Sequence, residues 1–284
     1  MGYVEFWDLA EKPFEEVNDP RFFFESEGHR EALDRMLYVV NDRNMNIGLL
    51  TGEIGSGKTL IRKVLFSSLP SQQFEIIDFE NSNYPFEDLL FDSVHRIASE
   101  HPHAPPSGTG GLPDRGDKFA LMRLFRAQLE HLCYEEKRHL VILFDEAQQM
   151  DDVALDEVKN FTNFAARGEN FLTVFFVGQP ELREKIKRLR QLDQRIFLRF
   201  HLNNLDFKNT VGYIDHRLMI AGRPKNGVFS ESSLELIFRA TGGVPREINR
   251  LCKLALQHGF ANDLAAIAPD DIQAILDDMK AQSG

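Results

Sequence analysis

The sequence has 284 residues, enough for one large domain or two smaller domains with buried cores. Its 33 basic and 44 acidic side chains give a formal net charge of −11, which argues against a basic nucleic-acid-binding chain but leaves a local basic face open. Two distant cysteines exclude a disulfide scaffold and a thiolate zinc site and fit a reducing compartment. The sequence shows no transmembrane run and no signal peptide, so we expect a cytoplasmic protein.

Residues 1–28 are rich in aromatic side chains and are interrupted by Pro13 and Pro20. Because proline breaks a helix, we expect an extended N-terminal arm that packs its rings on a larger body. A helical stripe of apolar residues follows from His29 to Val40.

The middle of the chain alternates predicted strands with predicted helices. In order these are a strand ending at Leu50, helices over 58–69, 85–99 and 117–136, and strands over 74–79, 139–144, 171–177 and 196–202. Residues 101–116 contain four prolines and four glycines, which predicts a flexible loop. Continuous apolar strands alternating with helices predict an α/β domain over 29–205, with a parallel five-stranded sheet and helices on both faces. Residues 206–284 contain only helical patterns and predict a small C-terminal helical lid.

A phosphate-binding pattern joins the first predicted strand to the next helix. Residues 52–59 match G-x-x-x-x-G-K-[ST] in full, and the alternative is a chance match on a glycine turn. The glycines allow backbone N–H groups to converge on phosphate oxygens beside a helix N-terminus. Lys58 would reach the β- and γ-phosphates, and the Thr59 hydroxyl would bind Mg²⁺. The predicted nucleotide-binding residues are Gly52, Glu53, Ile54, Gly55, Ser56, Gly57, Lys58, Thr59 and Leu60.

Two acids, Asp145 and Glu146, follow the apolar strand 139–144. In a P-loop enzyme, an aspartate at this place holds Mg²⁺ directly or through water. The adjacent glutamate can accept a proton from the attacking water. Metal binding alone needs one acid, so the pair indicates hydrolysis; the alternative is a solvated strand end.

Two polar side chains are candidates for contact with phosphate or water. Gln179 follows the strand 171–177 and would orient the attacking water or the γ-phosphate, unless it is only a turn residue. Arg246 follows a Gly-Gly-x-Pro element in the first turn of a predicted helix. A cation there opposes the helix dipole, so we expect Arg246 to reach a phosphate; the alternative is a surface salt bridge.

Segment 181–199 carries seven basic and three acidic residues. The default interpretation is a solvated helix face. Alternatively, one arginine could reach a neighbouring subunit's active site and stabilise γ-phosphate charge. A third possibility is that the segment contacts a nucleic-acid backbone.

Together these motifs resemble an AAA+ ATPase, and more narrowly the general secretion pathway protein A family. The similarity covers residues 1 to about 280. The stretches that carry it are Glu11-Lys12-Pro13-Phe14, Asp19-Pro20-Arg21-Phe22, His29-Arg30-Glu31-Ala32-Leu33, Thr51-Gly52-Glu53, Phe144-Asp145-Glu146-Ala147-Gln148, Val177-Gly178-Gln179-Pro180-Glu181-Leu182, Leu189-Arg190-Gln191-Leu192, Gln194-Arg195-Ile196 and Gly242-Gly243-Val244-Pro245-Arg246-Glu247-Ile248-Asn249.

The resemblance implies ATP and Mg²⁺ as cofactors and a homo-oligomer in which an arginine finger acts in trans. The implied roles are Walker A for Lys58 and Thr59, Walker B for Asp145 and Glu146, sensor 1 for Gln179, sensor 2 for Arg246, and arginine finger for Arg195 with Arg199 second. It also implies that Asn81 or Asn83 holds Glu146 inactive until a partner binds. The aromatic arm and the helix from His29 would line the adenine pocket.

Longer members of this family continue into a membrane-spanning segment and a cell-wall-binding domain, neither of which is found in these 284 residues. We expect an ATP-hydrolysing switch or assembly factor in a bacterial envelope, secretion or pilus system. It would not insert into the membrane and would reach the inner membrane only through a protein partner. One alternative is a DNA-binding regulator of transposition-type target selection, which the basic segment favours and the net charge opposes. A second is a nucleotide-binding scaffold without turnover, which the acid pair opposes.

Overall fold

The computed structural model shows a chain that forms two compact units. It describes residues 2–15, 19–43, 45–106, 111–166, 169–223 and 227–283. An α/β unit contains Glu31–Gly52 and Val64–His201. A helical unit contains Met1–Arg30, Glu53–Lys63 and Leu202–Gly284. The predicted domain boundaries at residues 28 and 205 stay a prediction.

A parallel five-stranded sheet forms the centre of the α/β unit, in the order β2-β3-β6-β1-β7. Its strands are β1 (Ile47–Gly52), β2 (Phe74–Phe79), β3 (His139–Phe144), β6 (Leu172–Gly178) and β7 (Ile196–Leu202), and a separate antiparallel pair consists of β4 (Ala165–Ala166) and β5 (Glu169–Asn170). Thr51 pairs with Gly178, and Phe144 pairs with Phe176. The carboxyl ends of β3, β6 and β1 therefore meet at one edge of the sheet.

Every residue of β1, β3 and β6 is buried. Alternate side chains of these strands pack in one core cluster with helices α4, α5 and α6. The intervening side chains, such as Leu143 and Phe175, are also fully buried. Since successive strand residues point to opposite faces, both faces of the sheet are covered. The predicted α/β fold class is confirmed.

Twelve α-helices occur among the described residues. They are α1 (Tyr3–Phe6), α2 (Glu27–Asp42), α3 (Lys58–Ser68), α4 (Phe86–Glu100), α5 (Lys118–Tyr134), α6 (Asp152–Val158), α7 (Glu181–Arg188), α8 (Arg190–Asp193), α9 (Phe207–Ile220), α10 (Glu231–Thr241), α11 (Pro245–Ala261) and α12 (Pro269–Ser283). Side-chain caps fix several starts: Asp117 accepts from the Ala120 N–H, and Asp151 accepts from the Ala154 N–H. Among the described helices, none is both long enough and apolar enough to cross a bilayer.

The N-terminal arm is part of the helical unit's core. The Trp7 indole is buried and donates to the Leu256 carbonyl at 2.9 Å. Arg217 on α9 is also buried and donates to the Pro13 and Glu15 carbonyls. The expectation of an extended arm was wrong at Tyr3–Phe6, which forms α1, and at Pro20–Phe22, which forms a 3-10 turn. Pro20 stands first in that turn, where its missing N–H costs nothing.

The predicted flexible loop 101–116 begins at an ordered, buried residue. His101 is 5% exposed, and its two ring nitrogens contact Glu75 and Glu136 at 2.9 and 2.7 Å. Residues 107–110, in the centre of the predicted loop, lie outside the described residues. The flexibility predicted for 101–116 stays a prediction.

Candidate functional site

The predicted phosphate loop is a compact turn between β1 and α3. The Ser56 N–H donates to the Glu53 carbonyl at 3.2 Å, and the Lys58 ammonium donates to the same carbonyl at 2.8 Å. Gly52 ends β1, Thr59 is exposed in the first turn of α3, and Ile54 is exposed in the loop. The turn therefore places Lys58 and Thr59 at the start of α3. That the N-terminus of this helix binds an anion stays a prediction.

Two glycines of the loop have conformations that other residues rarely adopt. Gly55 has φ 78° and Gly57 has φ 102°. A Cβ on Gly55 would lie 2.6 Å from the Arg246 Cβ. A Cβ on Gly57 would lie 2.7 Å from the His29 Nε2. Both positions therefore require glycine for backbone conformation and for space.

His29 links the phosphate loop to Ser26 through hydrogen bonds of its ring. Its Nε2 lies 3.0 Å from the Ser56 carbonyl, and its Nδ1 lies 2.6 Å from the Ser26 hydroxyl. A carbonyl only accepts, so Nε2 carries the proton and Nδ1 accepts from Ser26. Burial lowers the pKa of His29, which favours this neutral form. No local sequence pattern predicts this contact, because His29 and Ser56 are 27 positions apart.

A small cavity of about 50 Å³ opens beside the loop within the helical unit. It is lined by Phe23, Phe24, His29, Gly57, Leu60, Tyr213 and Pro245. The arm and the first turn of α2 thus contribute side chains next to the phosphate loop. That this cavity receives adenine stays a prediction.

Arg246 lies against the phosphate loop. Pro245 starts α11, and the Arg246 N–H donates to the Gly55 carbonyl at 3.3 Å. The Arg246 side chain therefore starts beside the phosphate loop. An arginine that contacts a nucleotide phosphate would have to lie there.

In the α/β unit, the two predicted acids form a tight turn after β3. The Asp145 N–H donates to the Phe79 carbonyl at 2.9 Å, and the Ser82 hydroxyl donates to the Asp145 carbonyl at 2.7 Å. Asp145 is buried and accepts from the Glu146 N–H at 2.9 Å. Glu146 has φ 51°, a left-handed conformation that is strained for a side chain with a Cβ and is common at functional sites.

Two amides hold the Glu146 carboxylate. Gln179 donates to its Oε2 at 3.3 Å, and Gln148 donates to the same oxygen at 2.6 Å. The structure thus brings together Glu146 and Gln179, as the strand order requires. Neither Asn81 nor Asn83 forms a hydrogen bond with the Glu146 carboxylate among the described residues, and the Asn81 side chain accepts from the Asn83 N–H at 3.0 Å. That either asparagine holds Glu146 stays a prediction.

The sequence of the chain matches a protein-family model over residues 41–186, a little more than half of its length. The model is described as an AAA domain. The chain belongs to the AAA domain family. The matched residues of this AAA domain protein contain the phosphate loop, the acidic strand end and Gln179.

The general secretion pathway protein A of Aeromonas hydrophila is 34% identical to this AAA domain protein over 272 residues. The match covers 95% of this chain and 47% of the relative, so the chain spans about half the length of the curated relative that it matches.

Solved structures share the fold at low sequence identity. The Aeropyrum pernix ORC2 protein with ADPNP and ADP superposes with a TM-score of 0.63 at 16% identity, covering 93% of this chain and 71% of that one. A Drosophila ORC structure bound to DNA gives a TM-score of 0.60 at 15% identity, covering 98% and 66%. The Thermotoga maritima RuvB T158V structure gives 0.55 at 15% identity, covering 94% and 73%.

The two candidate finger arginines of this AAA domain protein have acceptors in their own chain. Arg195 donates to the Lys159 carbonyl, the Thr162 hydroxyl and the Asn163 amide oxygen at 2.7–2.9 Å. Arg199 forms an ion pair with Asp193 at 2.8 Å, and both side chains are more than one-third exposed. Neither arginine forms a hydrogen bond or an ion pair with Glu146 of its own chain. A role for either arginine in trans stays a prediction.

Proposed function

We propose that this AAA domain protein binds ATP with Mg²⁺ and hydrolyses it, and that it acts as an oligomeric switch or assembly factor in a bacterial envelope, secretion or pilus system. The observation that carries hydrolysis is the Glu146 carboxylate at the end of β3, held by the Gln179 amide. A scaffold that only bound nucleotide would need no such base beside Asp145.

The loop residues fit the phosphates of a nucleotide. Gly55 and Gly57 leave no Cβ in the turn, and the buried Ser56 hydroxyl has no hydrogen-bond partner among the described residues. Such a hydroxyl and the loop N–H groups are donors for phosphate oxygens. Lys58 would add the positive charge that the β- and γ-phosphates require.

Mg²⁺ prefers oxygen ligands, and the proposed ligands are the Thr59 hydroxyl and the Asp145 carboxylate. Held by these two residues, Mg²⁺ would supply positive charge against the negative charge that develops on the phosphates. Glu146 would accept a proton from the attacking water, and Gln179 would orient that water. Arg246 would contact phosphate, and Arg195 would stabilise the γ-phosphate of a neighbouring subunit.

The pathway assignment depends on the relative named for the general secretion pathway. We propose a protein partner in an envelope complex, through which the cytoplasmic AAA domain protein would be held at the inner membrane. A pull-down from envelope extracts with the Glu146→Gln protein loaded with ATP would identify this partner.

The first experiment measures ATP hydrolysis and ATP binding by the parent and by Glu146→Gln. The substitution keeps the size of the side chain and removes the base, so we expect unchanged ATP affinity and at least about a hundredfold slower turnover. Retained turnover would remove the base role of Glu146. Turnover by neither protein, with normal ATP binding, would favour the scaffold alternative.

One observation favours a second candidate function, contact with DNA. Arg183, Arg188 and Arg190 are exposed on α7 and α8, and none has an ion-pair partner among the described residues. The test repeats the ATPase assay with double-stranded DNA at two salt concentrations. Stimulation that disappears at high salt would support the transposition-type alternative. A rate that ignores DNA and rises with protein concentration supports the envelope assignment.

A further inference from the structure

Gln148 forms a bridge between the acidic turn and the end of the neighbouring strand. It lies in the 3-10 turn Ala147–Gln149 that follows Glu146. Its Oε1 accepts from the Gln179 backbone N–H at 3.1 Å, and its Nε2 donates to the Glu146 Oε2 at 2.6 Å. Because a backbone N–H only donates, it fixes which end of the amide is the oxygen. The Gln148 NH₂ group therefore faces the Glu146 carboxylate.

The end of β6 leaves room for this bridge. A Cβ on Gly178 would lie 2.5 Å from the Gln148 Oε1 and 2.8 Å from a methyl group of Leu182. Any larger residue at position 178 would push the Gln148 amide away from the Gln179 N–H. The glycine and the glutamine thus form one local arrangement, although they are 30 positions apart in the sequence.

The two amides act on only one oxygen of Glu146. Gln148 and Gln179 both donate to Oε2, at 2.6 and 3.3 Å. The other oxygen, Oε1, has no hydrogen-bond partner among the residues that the structure describes. A carboxylate fixed through one oxygen presents the other in a defined direction, which a general base requires.

We propose that Gln148 is a positioning residue for ATP hydrolysis. By holding Oε2 of Glu146, it directs Oε1 to the attacking water. A water proton moves to Oε1 while the water oxygen bonds to the γ-phosphorus and the bond to the ADP oxygen breaks. Gln148 itself touches neither water nor nucleotide. This inference rests on the proposed ATPase function and goes beyond it by naming the residue that orients the base.

Two substitutions of Gln148 separate its two hydrogen bonds. Gln148→Met keeps the length of the side chain and removes both bonds. Gln148→Glu keeps an acceptor for the Gln179 N–H but places a carboxylate oxygen against Glu146. Gln149 is exposed and next in the chain, so Gln149→Met and Gln149→Glu are matched controls. For each protein, kcat, the KM for ATP, ATP affinity and the thermal unfolding midpoint are measured.

We expect kcat to fall about tenfold in Gln148→Met and further in Gln148→Glu, because a hydrogen bond to a charged group is lost in the first and replaced by repulsion in the second. KM and ATP affinity should stay within about twofold of the parent, since the phosphate loop is untouched. The Gln149 variants should keep the parent kcat. Gln148→Asn, which is too short for both bonds at once, should not restore kcat.

Parent kcat in Gln148→Met would overturn the positioning role alone. Equal losses in Gln148→Met and Gln148→Glu, together with a raised KM and a lower unfolding midpoint, would overturn it as well, because they indicate a structural role. A parent that binds ATP with Mg²⁺ but hydrolyses none would overturn the proposed function, and this inference with it. Crystal structures of the parent and Gln148→Met then show directly whether the Glu146 carboxylate turns away.

Discussion

His29 makes a contact whose loss should affect nucleotide binding more than chemistry. It donates to the Ser56 carbonyl and lies against Gly57, so it fixes the loop before the nucleotide arrives. In His29→Ala, the loop would lose one hydrogen bond and its support. We expect ATP affinity to fall about tenfold, with kcat at saturating ATP within about twofold of the parent, because the acids and amides at the strand ends are unchanged. Fluorescent-nucleotide titration and steady-state kinetics measure both.

His103 provides the control for His29, because it is an exposed histidine outside the phosphate loop. His103→Ala should bind ATP as the parent does. A conservative change, His29→Gln, can offer an amide N–H to the Ser56 carbonyl and should recover part of the affinity. Parent-like ATP affinity in His29→Ala would show that the loop holds its conformation without this support.

The residues of the candidate site differ in how far sequence alone could predict them. Lys58 and Glu146 belong to short contiguous motifs, so residue types and spacing are sufficient to propose them as site residues. His29 and Gln148 act on groups 27 and 31 positions away in the chain. Such contacts depend on how the strands and helices pack, which a local pattern does not contain. Gln148 stands two residues after Glu146 and belongs to the stretch 144–148 that carries the family resemblance, but neither fact predicts its contact with the Gln179 N–H.

At the scale of single elements, β3 contains a buried histidine that should make stability depend on pH. His139 is 1% exposed, and its Nε2 lies 2.9 Å from the Thr173 hydroxyl. Burial, and to a smaller extent the positive charge of Arg43, lowers the pKa of His139 to about 4. An unfolded chain binds this proton near the usual pKa of about 6.5. Between these values the unfolded state holds more protons, so the stabilising contribution is present above about pH 6.5 and is lost as the pH falls toward 4.

The comparison protein for this prediction is His139→Gln, which keeps a hydrogen-bonding group for Thr173 and does not titrate. Relative to that variant, the parent should lose about 2 kcal/mol of unfolding free energy between about pH 7 and pH 5. Urea denaturation at the two pH values measures it. An identical pH dependence in both proteins would assign the titration to other groups.

The elements themselves were predicted unevenly, for physical reasons. The strands at 74–79, 139–144 and 196–202 were predicted with the observed bounds. The strand 139–144 is a nearly continuous apolar run, which is typical of a strand buried on both faces. The helix α6 was not predicted, because its seven residues are too few to show a helical periodicity. The two-residue strands β4 and β5 were not predicted either. Segment 181–199 is divided among α7, α8 and β7, because Leu189 leaves the helical conformation.

At the scale of the whole molecule, each compact unit contains part of the proposed machinery. The helical unit contains the phosphate loop from Glu53 onward, His29 and Arg246, and the α/β unit contains the acids, their amides and Arg195. Arg195 is bound within its own chain by Lys159, Thr162 and Asn163. If Arg195 acts in trans, it has to leave these neutral acceptors and bind the γ-phosphate of a neighbouring subunit when the oligomer assembles. The charge of the phosphate makes that exchange favourable.

A mixing experiment tests whether Arg195 acts in trans. Arg195→Ala keeps an intact nucleotide site and lacks the finger, whereas Lys58→Ala lacks a working site and keeps the finger. Each protein alone should hydrolyse ATP at least about tenfold more slowly than the parent. Mixed, they should exceed the sum of their separate rates, because Lys58→Ala subunits supply Arg195 to the intact sites. Arg199→Ala mixed with Lys58→Ala is the matched control and should show no such gain. Additive rates for Arg195→Ala, at concentrations where the proteins co-assemble, would mean that Arg195 acts within its own chain or only supports segment 159–163.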